Sequence, residues 1–243
     1  MVEHHDDPDH EPLIPVSRGA YDAYWPIAPL GNWLIIFLIG IGVLSIVSIG
    51  SMMVQDHLLA QIEQGVQVPQ EEAAASDTRQ LVLSMLELGV IASTGTLFLI
   101  WFSRAHRNLP SLGVQDLRYS PGWAVGGFFV PFLNLVRPYQ VMKEVWWGSD
   151  PALPSDPRPL PRRGVTLVRL WWGAYLMMNA LSMAAAQLMF HRSDAPGDLR
   201  TITQVDIGAS LLTIVAVIFA AGVVREVSIR QSVKRDLTEI VQN

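Results

Sequence analysis

The densest polar chemistry in this sequence lies in WFSRAHRNLPSLG, residues 101–113, where a long apolar run gives way to charged and amide side chains. On a helix Trp101, Arg104 and Asn108 stand at i, i+3 and i+7, so they share a face, and Pro110 then stops the helix. A guanidinium and an amide held beside a tryptophan could grip a phosphate or a carboxylate. The plainer reading is that Arg104 and Arg107 snorkel toward lipid headgroups and fix the depth of the helix.

A second cluster, PFLNLVRPYQVMKEVWW at 131–147, places Asn134 three residues before Arg137 and leads Lys143 and Glu144 into Trp146 and Trp147. If this segment folds against the preceding helix, Glu144 pairs with Arg104 and Asn134 caps a broken helix end. The competing reading is an amphipathic helix lying in the interface, its tryptophans among the headgroups. Glu87 stands inside another apolar run, where a carboxylate is costly enough to suggest a proton or cation role. It lies only about two turns from the end of that run. A structural carboxyl, exposed to water or bonded to Asn179 or Gln187, is therefore the alternative. Small residues at three- and four-residue spacing, such as Gly89, Ser93 and Thr96, point to tight helix packing. His4, His5, Asp6, Asp7, Asp9 and His10 have ligand chemistry but no scaffold to fix its geometry, so a solvated tail is expected and no metal site.

The sequence contains no P-loop, no H-E-x-x-H, no G-x-S-x-G and no cysteine. Conventional hydrolase and ATPase machinery is therefore not visible, and thiolate chemistry is excluded. The expected role is non-enzymatic, with no cofactor. An intramembrane enzyme acting on lipid is the weakest alternative, since no nucleophile and base stand at a motif spacing.

These residues must be positioned by helices in lipid. Half of the chain is hydrophobic and 16% is charged, against about one quarter charged in soluble domains. The apolar residues gather in long blocks instead of recurring at periods of two or 3.6. A helix needs about 20 apolar residues to cross a hydrocarbon core, because no water there can satisfy open backbone groups. Residues 33–54, 81–102, 170–190 and 207–224 meet that length. The expected fold is an all-α polytopic membrane protein with four transmembrane helices. Between the second and third, a re-entrant or interfacial segment covers 121–147. Its apolar stretch, 123–136, is too short for a simple span and contains Gly126, Gly127, Pro131 and Asn134.

Positive charge sets the orientation. With four spans and both termini cytoplasmic, 14 of the 17 lysines and arginines lie inside, and only Arg79, Arg192 and Arg200 lie outside. The best five-span arrangement gives 11 against six, a poorer fit to the positive-inside bias. Tyr24, Trp25, Trp33, Trp101, Trp171 and Trp172 fall near the span ends, where amphipathic rings favour the headgroup layer. Residues 1–32 form an acidic cytoplasmic tail, without the basic segment of a signal peptide. Residues 55–80 form an acidic external loop, partly helical around EEAAASD, and 148–164 form a proline-rich, semi-extended linker. Residues 225–243 continue beyond the last span as a cytoplasmic helix.

The stretch from Trp101 to Asp150 resembles a bacterial multi-pass membrane family known as domain of unknown function 4328. Four blocks carry the resemblance: W-F-x-R-A-x-x-N-L, L-x-Y-S-P-G-W-A-V, F-x-x-P-F-x-N-L-x-x-P-Y and a closing K-E-V-W. The resemblance implies a bacterial inner-membrane protein and no particular activity. It also implies that Trp101, Arg104, Asn108, Pro121, Trp123, Pro131, Asn134, Pro138 and Glu144 belong to one unit.

The sequence thus points first to a membrane scaffold or partner-binding subunit whose Arg104/Asn108 and Asn134/Arg137 region takes an anionic lipid headgroup or a membrane-protein partner. No nucleic-acid partner is expected. A small transporter or channel component using Glu87 and Asn179 is the second expectation.

Overall fold

The computed structural model describes residues 24–115, 117–152, 165–191 and 196–242. Among these helix is the only regular secondary structure, with no strand. In order, the helices are α1 (Ala28–Glu63), α2 (Gln70–Arg107), the short α3 (Trp123–Gly126), α4 (Arg137–Gly148), α5 (Thr166–His191) and α6 (Pro196–Gln242). One-turn 3-10 segments lie at Pro110–Leu112 and Leu133–Leu135. Among the described residues three helices, α1, α2 and α6, are long and apolar enough to cross a membrane. Residues 170–190 lie within α5, where Asn179 and Gln187 dilute the apolar run.

The long helices extend well past the apolar blocks. The 36 residues of α1 rise about 54 Å, far more than a hydrocarbon core of about 30 Å. The expected loop over 55–80 therefore contracts to residues 64–69. Gly65, at φ 79°, ends α1, and the Val66 N–H donates back to the Gln61 carbonyl in a Schellman-type closure. Glu71 and Glu72 then sit in the first turn of α2, where the helix dipole favours negative charge. Residues 225–242 are an unbroken continuation of α6, not a separate helix. The segment 121–147 is broken into α3, a 3-10 turn and α4, as its glycines and prolines require. Most of the expected acidic tail and proline-rich linker lies outside the described residues.

The chain forms two compact units. The long-helix unit comprises residues 29–98 and 164–226. Its outward side chains are large and apolar, among them Ile46, Leu88, Met183 and Ile218, each more than 60% exposed. Its interior includes small and polar groups as well as leucines such as Leu34 and Leu38. Ser45, Ser48 and Ser51, at a three-residue spacing on α1, are buried. A Cβ on Gly208 would lie 3.3 Å from Leu181, and one on Gly222 would lie 3.4 Å from Leu167, so α5 and α6 approach closely. Trp171 and Trp172 are buried and stack in a series from Phe98 to Tyr175. Of the tryptophans expected at the headgroup layer, Trp25 and Trp33 remain exposed.

The motif unit comprises the described parts of 1–28, 99–163 and 227–243. Its core is built from Trp101, Phe102, Ala105, Leu109, Val141 and Val145, all inaccessible to solvent. Trp101, Phe102, Ala105 and His106 near the end of α2, and Asn108 and Leu109 just after it, are all buried and recur at helical spacing on one face. Phe128 packs edge-on against Phe102, with ring centroids 6.3 Å apart.

Candidate functional site

At the centre of the motif unit is a buried polar hub. The Asn108 carboxamide accepts the Trp25 backbone N–H at 2.9 Å and donates to the Trp25 carbonyl at 2.8 Å and to Gln231 Oε1 at 3.0 Å. Gln231 in turn donates to the Ala105 carbonyl at 2.8 Å and to Ser149 Oγ at 3.0 Å. Trp101 Nε1 donates to Ser228 Oγ at 3.1 Å, and Lys234 Nζ donates to the Gly148 carbonyl at 3.0 Å. Lys234 lies ten residues beyond the apolar run 207–224. Burial pushes its ammonium below the usual lysine range, partly opposed by Asp150. Trp101 and Asn108, candidates for an anion grip, are thus committed to holding the end of α2 against α6. Arg104, three residues after Trp101, is exposed beside the Trp25 ring, 5.9 Å from its centroid.

Glu144 does not pair with Arg104. Its Oε2 lies 3.0 Å from Nε2 of the fully buried His106, and its Oε1 accepts the Arg118 backbone N–H at 2.7 Å. Two residues along a helix turn the side chain about 200°, so Arg104 and His106 face opposite ways and only His106 meets α4. His106 was legible as a polar residue in the register of the buried stripe Phe102, Ala105 and Leu109. Its Nδ1 has no hydrogen-bond partner. Replacing Glu144 with Ala removes the partner of a buried ring nitrogen and the acceptor that fixes the 117–119 turn. The expected loss is about 2–3 kcal/mol, with faster hydrogen exchange at Arg118; unchanged exchange there would count against this role.

Asn134 does not cap a helix: it is exposed, and α4 begins from Val136 without a side-chain cap. Arg137 is half-buried, its guanidinium 4.9 Å from the ring centroids of both Tyr119 and Trp123. Other cations of this unit also lie over rings: Lys143 over Tyr139, Arg230 over Trp146 and Arg235 over Tyr24. Between the buried blocks the chain projects an apolar tip. Phe129 is 70% exposed and Phe132 85%, with Leu135 and Val136 beside them. Phe132 has φ 64° and ψ −40°, and the Leu133 N–H donates to the Pro131 carbonyl at 2.8 Å. This is a γ-turn of positive φ, rare and strained for a residue with a bulky side chain.

In the long-helix unit, Glu87 accepts a hydrogen bond from Ser48 of α1 at 2.5 Å, not from Asn179 or Gln187. Asn179 instead donates to the Tyr175 carbonyl one turn back on its own helix, at 2.7 Å. Glu87 lines a cavity of about 290 Å³ together with Asp206. Asp206 was missed because it stands one residue before the apolar run that defines the last expected span. Among the described residues no group of three or more His, Cys, Asp or Glu side chains could hold a metal ion.

A family model described as Domain of unknown function (DUF4328) matches residues 64–228. The chain belongs to that family. No curated protein and no solved structure matches it.

Proposed function

We propose that this chain is a multi-pass protein of the bacterial inner membrane, with four spans and both termini cytoplasmic, and that it acts as a non-enzymatic subunit binding anionic lipid. In this reading residues 33–54, 81–102, 170–190 and 207–224 cross the bilayer, and the motif unit works at the cytoplasmic headgroup layer. The single observation that carries it is the tip at Pro131–Leu135. Three of the four motif blocks place residues in the core, yet the middle of the third stands in solvent, with Phe132 held in strained backbone and 85% exposed. An apolar wedge flanked by a guanidinium between two rings has the chemistry of a headgroup-layer anchor: acyl chains take the phenylalanines, and Arg137 meets the phosphates.

The absence of cysteine allows a single label. Phe132→Cys, carrying an environment-sensitive fluorophore in nanodiscs, is expected to be quenched by lipid-borne quenchers and shielded from aqueous iodide. Adding Arg137→Gln should weaken the preference for anionic over neutral lipid about tenfold or less, since each cation near such a surface contributes about 1 kcal/mol. Quenching by iodide alone would reject the anchor. Phe132→Gly separates structure from function. It relieves the positive φ, so thermal stability should hold or rise while lipid association falls.

A second reading, a small transporter or channel component, is favoured by the cavity at Glu87. Asn179 has no part in that lining. Proteoliposome flux that disappears in Glu87→Gln would support it.

A further inference from the structure

We infer that the anionic lipid taken beside the tip carries two phosphates in one headgroup, one met by Arg118 and the other by Arg137 around the ring of Tyr119. The inference rests on the lipid-anchor reading for the place of the tip among headgroups. It adds which headgroups are selected.

Two guanidiniums converge on one aromatic ring. Arg118 lies 5.7 Å and Arg137 4.9 Å from the Tyr119 ring centroid, and Arg137 is also 4.9 Å from that of Trp123. The ring is a fixed post, because Tyr119 is buried and its hydroxyl donates to Gln140 Oε1 at 3.1 Å. Both arginines are fixed at their roots as well. The Arg118 N–H donates to Glu144 Oε1 at 2.7 Å. A Cβ on Gly127 would lie 3.1 Å from Arg137 Cγ and 3.3 Å from its Cβ, so the Arg137 stem packs on the end of α3. The fold thus holds both charges in place before any ligand arrives, which lowers the ordering cost of binding.

The surroundings indicate what meets these charges. The Arg118 side chain is exposed and meets no carboxylate among the described residues. Both Glu144 oxygens are already engaged, one by His106 and one by the Arg118 N–H. A single phosphate answers one guanidinium and leaves the other facing a like charge. Two phosphates joined in one headgroup answer both, and the second contact forms within a molecule already bound, at high effective concentration. Guanidinium suits the task because its planar fork takes phosphate oxygens bidentately while its face stays on an aromatic ring. Phe129 and Phe132, 70% and 85% exposed, supply a surface for acyl chains to cover, which selects a lipid over a soluble diphosphate.

The test titrates the full chain in neutral detergent with cardiolipin, which has two phosphates, or with phosphatidylglycerol at twice the concentration, which matches its charge. Native mass spectrometry counts the lipids retained per chain, and the melting temperature follows their binding. One cardiolipin per chain is expected, with an apparent affinity about tenfold above that for phosphatidylglycerol. Arg118→Gln and Arg137→Gln should each bring the two lipids to within about twofold of one another. Arg118→Lys, which keeps the charge and loses the fork, should give up several-fold of the preference. Arg107→Gln removes another exposed arginine of the same unit and should leave the preference intact. Should Arg137→Gln fail to fold, the exposed Arg118 decides alone. Equal binding at matched charge, a preference kept in Arg118→Gln, or one lost equally in Arg107→Gln would overturn the inference. Displacement of cardiolipin by an equal concentration of inorganic pyrophosphate would overturn a lipid as the ligand. A Phe132→Cys label quenched by iodide alone rejects the anchor itself. A label shielded by lipid, with no preference for cardiolipin, leaves the anchor standing and rejects the paired phosphates.

Discussion

Asn108→Ala is expected to destabilise the motif unit by about 3 kcal/mol. The substitution removes three hydrogen bonds at once. Water can replace the carboxamide at Trp25, which is exposed, but Gln231 is fully buried and its Oε1 would be left without a donor. Each orphaned buried group costs about 1–3 kcal/mol, and each lost hydrogen bond about 1 kcal/mol net. For a chain of this size the loss should appear as a fall in melting temperature of about 10 °C. Hydrogen exchange gives the sharper readout. Protection should drop in residues 101–112 and 227–240, whereas the long-helix unit should be little changed. A double-mutant cycle with Gln231→Ala should show coupling, because the two side chains share one network. If Asn108→Ala melts with the wild type, the hub is not what holds α2 and α6 together here.

Gly148→Leu should be worse. A Cβ at this position would stand 2.8 Å from Leu109 Cδ2 and 3.3 Å from Val114 Cγ2. Leu109 is fully buried and cannot swing aside. Even Gly148→Ala should cost about 1–3 kcal/mol in overpacking, only partly offset by about 1 kcal/mol of helix propensity. The leucine variant adds volume with no space to receive it, and it displaces the carbonyl that accepts Lys234. We expect it to abolish cooperative melting of the motif unit. Gly126→Ala supplies the control, since nothing lies within 4 Å of a Cβ there. Should the two positions prove equally tolerant, the close packing of α4 on the end of α2 would be wrong.

How far the sequence could be read depended on what each residue answers to. Three of the four apolar runs were legible because a long contiguous apolar stretch suits a spanning helix, and α1, α2 and α6 contain them; the fourth lies in α5, which is less apolar. The ends of those helices were not, because a run of apolar residues marks a stretch suited to lipid and not where helical hydrogen bonding stops. Trp101 illustrates a deeper limit. Its place at the end of an apolar run suggested a headgroup anchor, yet its indole is buried and bonds Ser228, 127 residues later. No local spacing encodes such a partner. His106 was more accessible to reasoning, because it falls in the register of a buried face, between the exposed Arg104 and Arg107. Glu144 meets His106 and not the expected Arg104, because helical phase turns those two side chains to opposite sides of α2. Asp206 was lost to a boundary drawn at the first apolar residue.

The hub has a consequence for how this molecule is born. Trp101, Ala105 and Asn108 leave the ribosome long before Ser228 and Gln231, and at about 5–20 residues per second that interval is on the order of ten seconds. Throughout it, the nascent chain must carry an indole and a carboxamide whose destined neighbours have not yet been made. The later-emerging strip of polypeptide therefore acts as the clasp that closes the earlier one, and the cell's quality-control machinery meets an unfinished unit until it does.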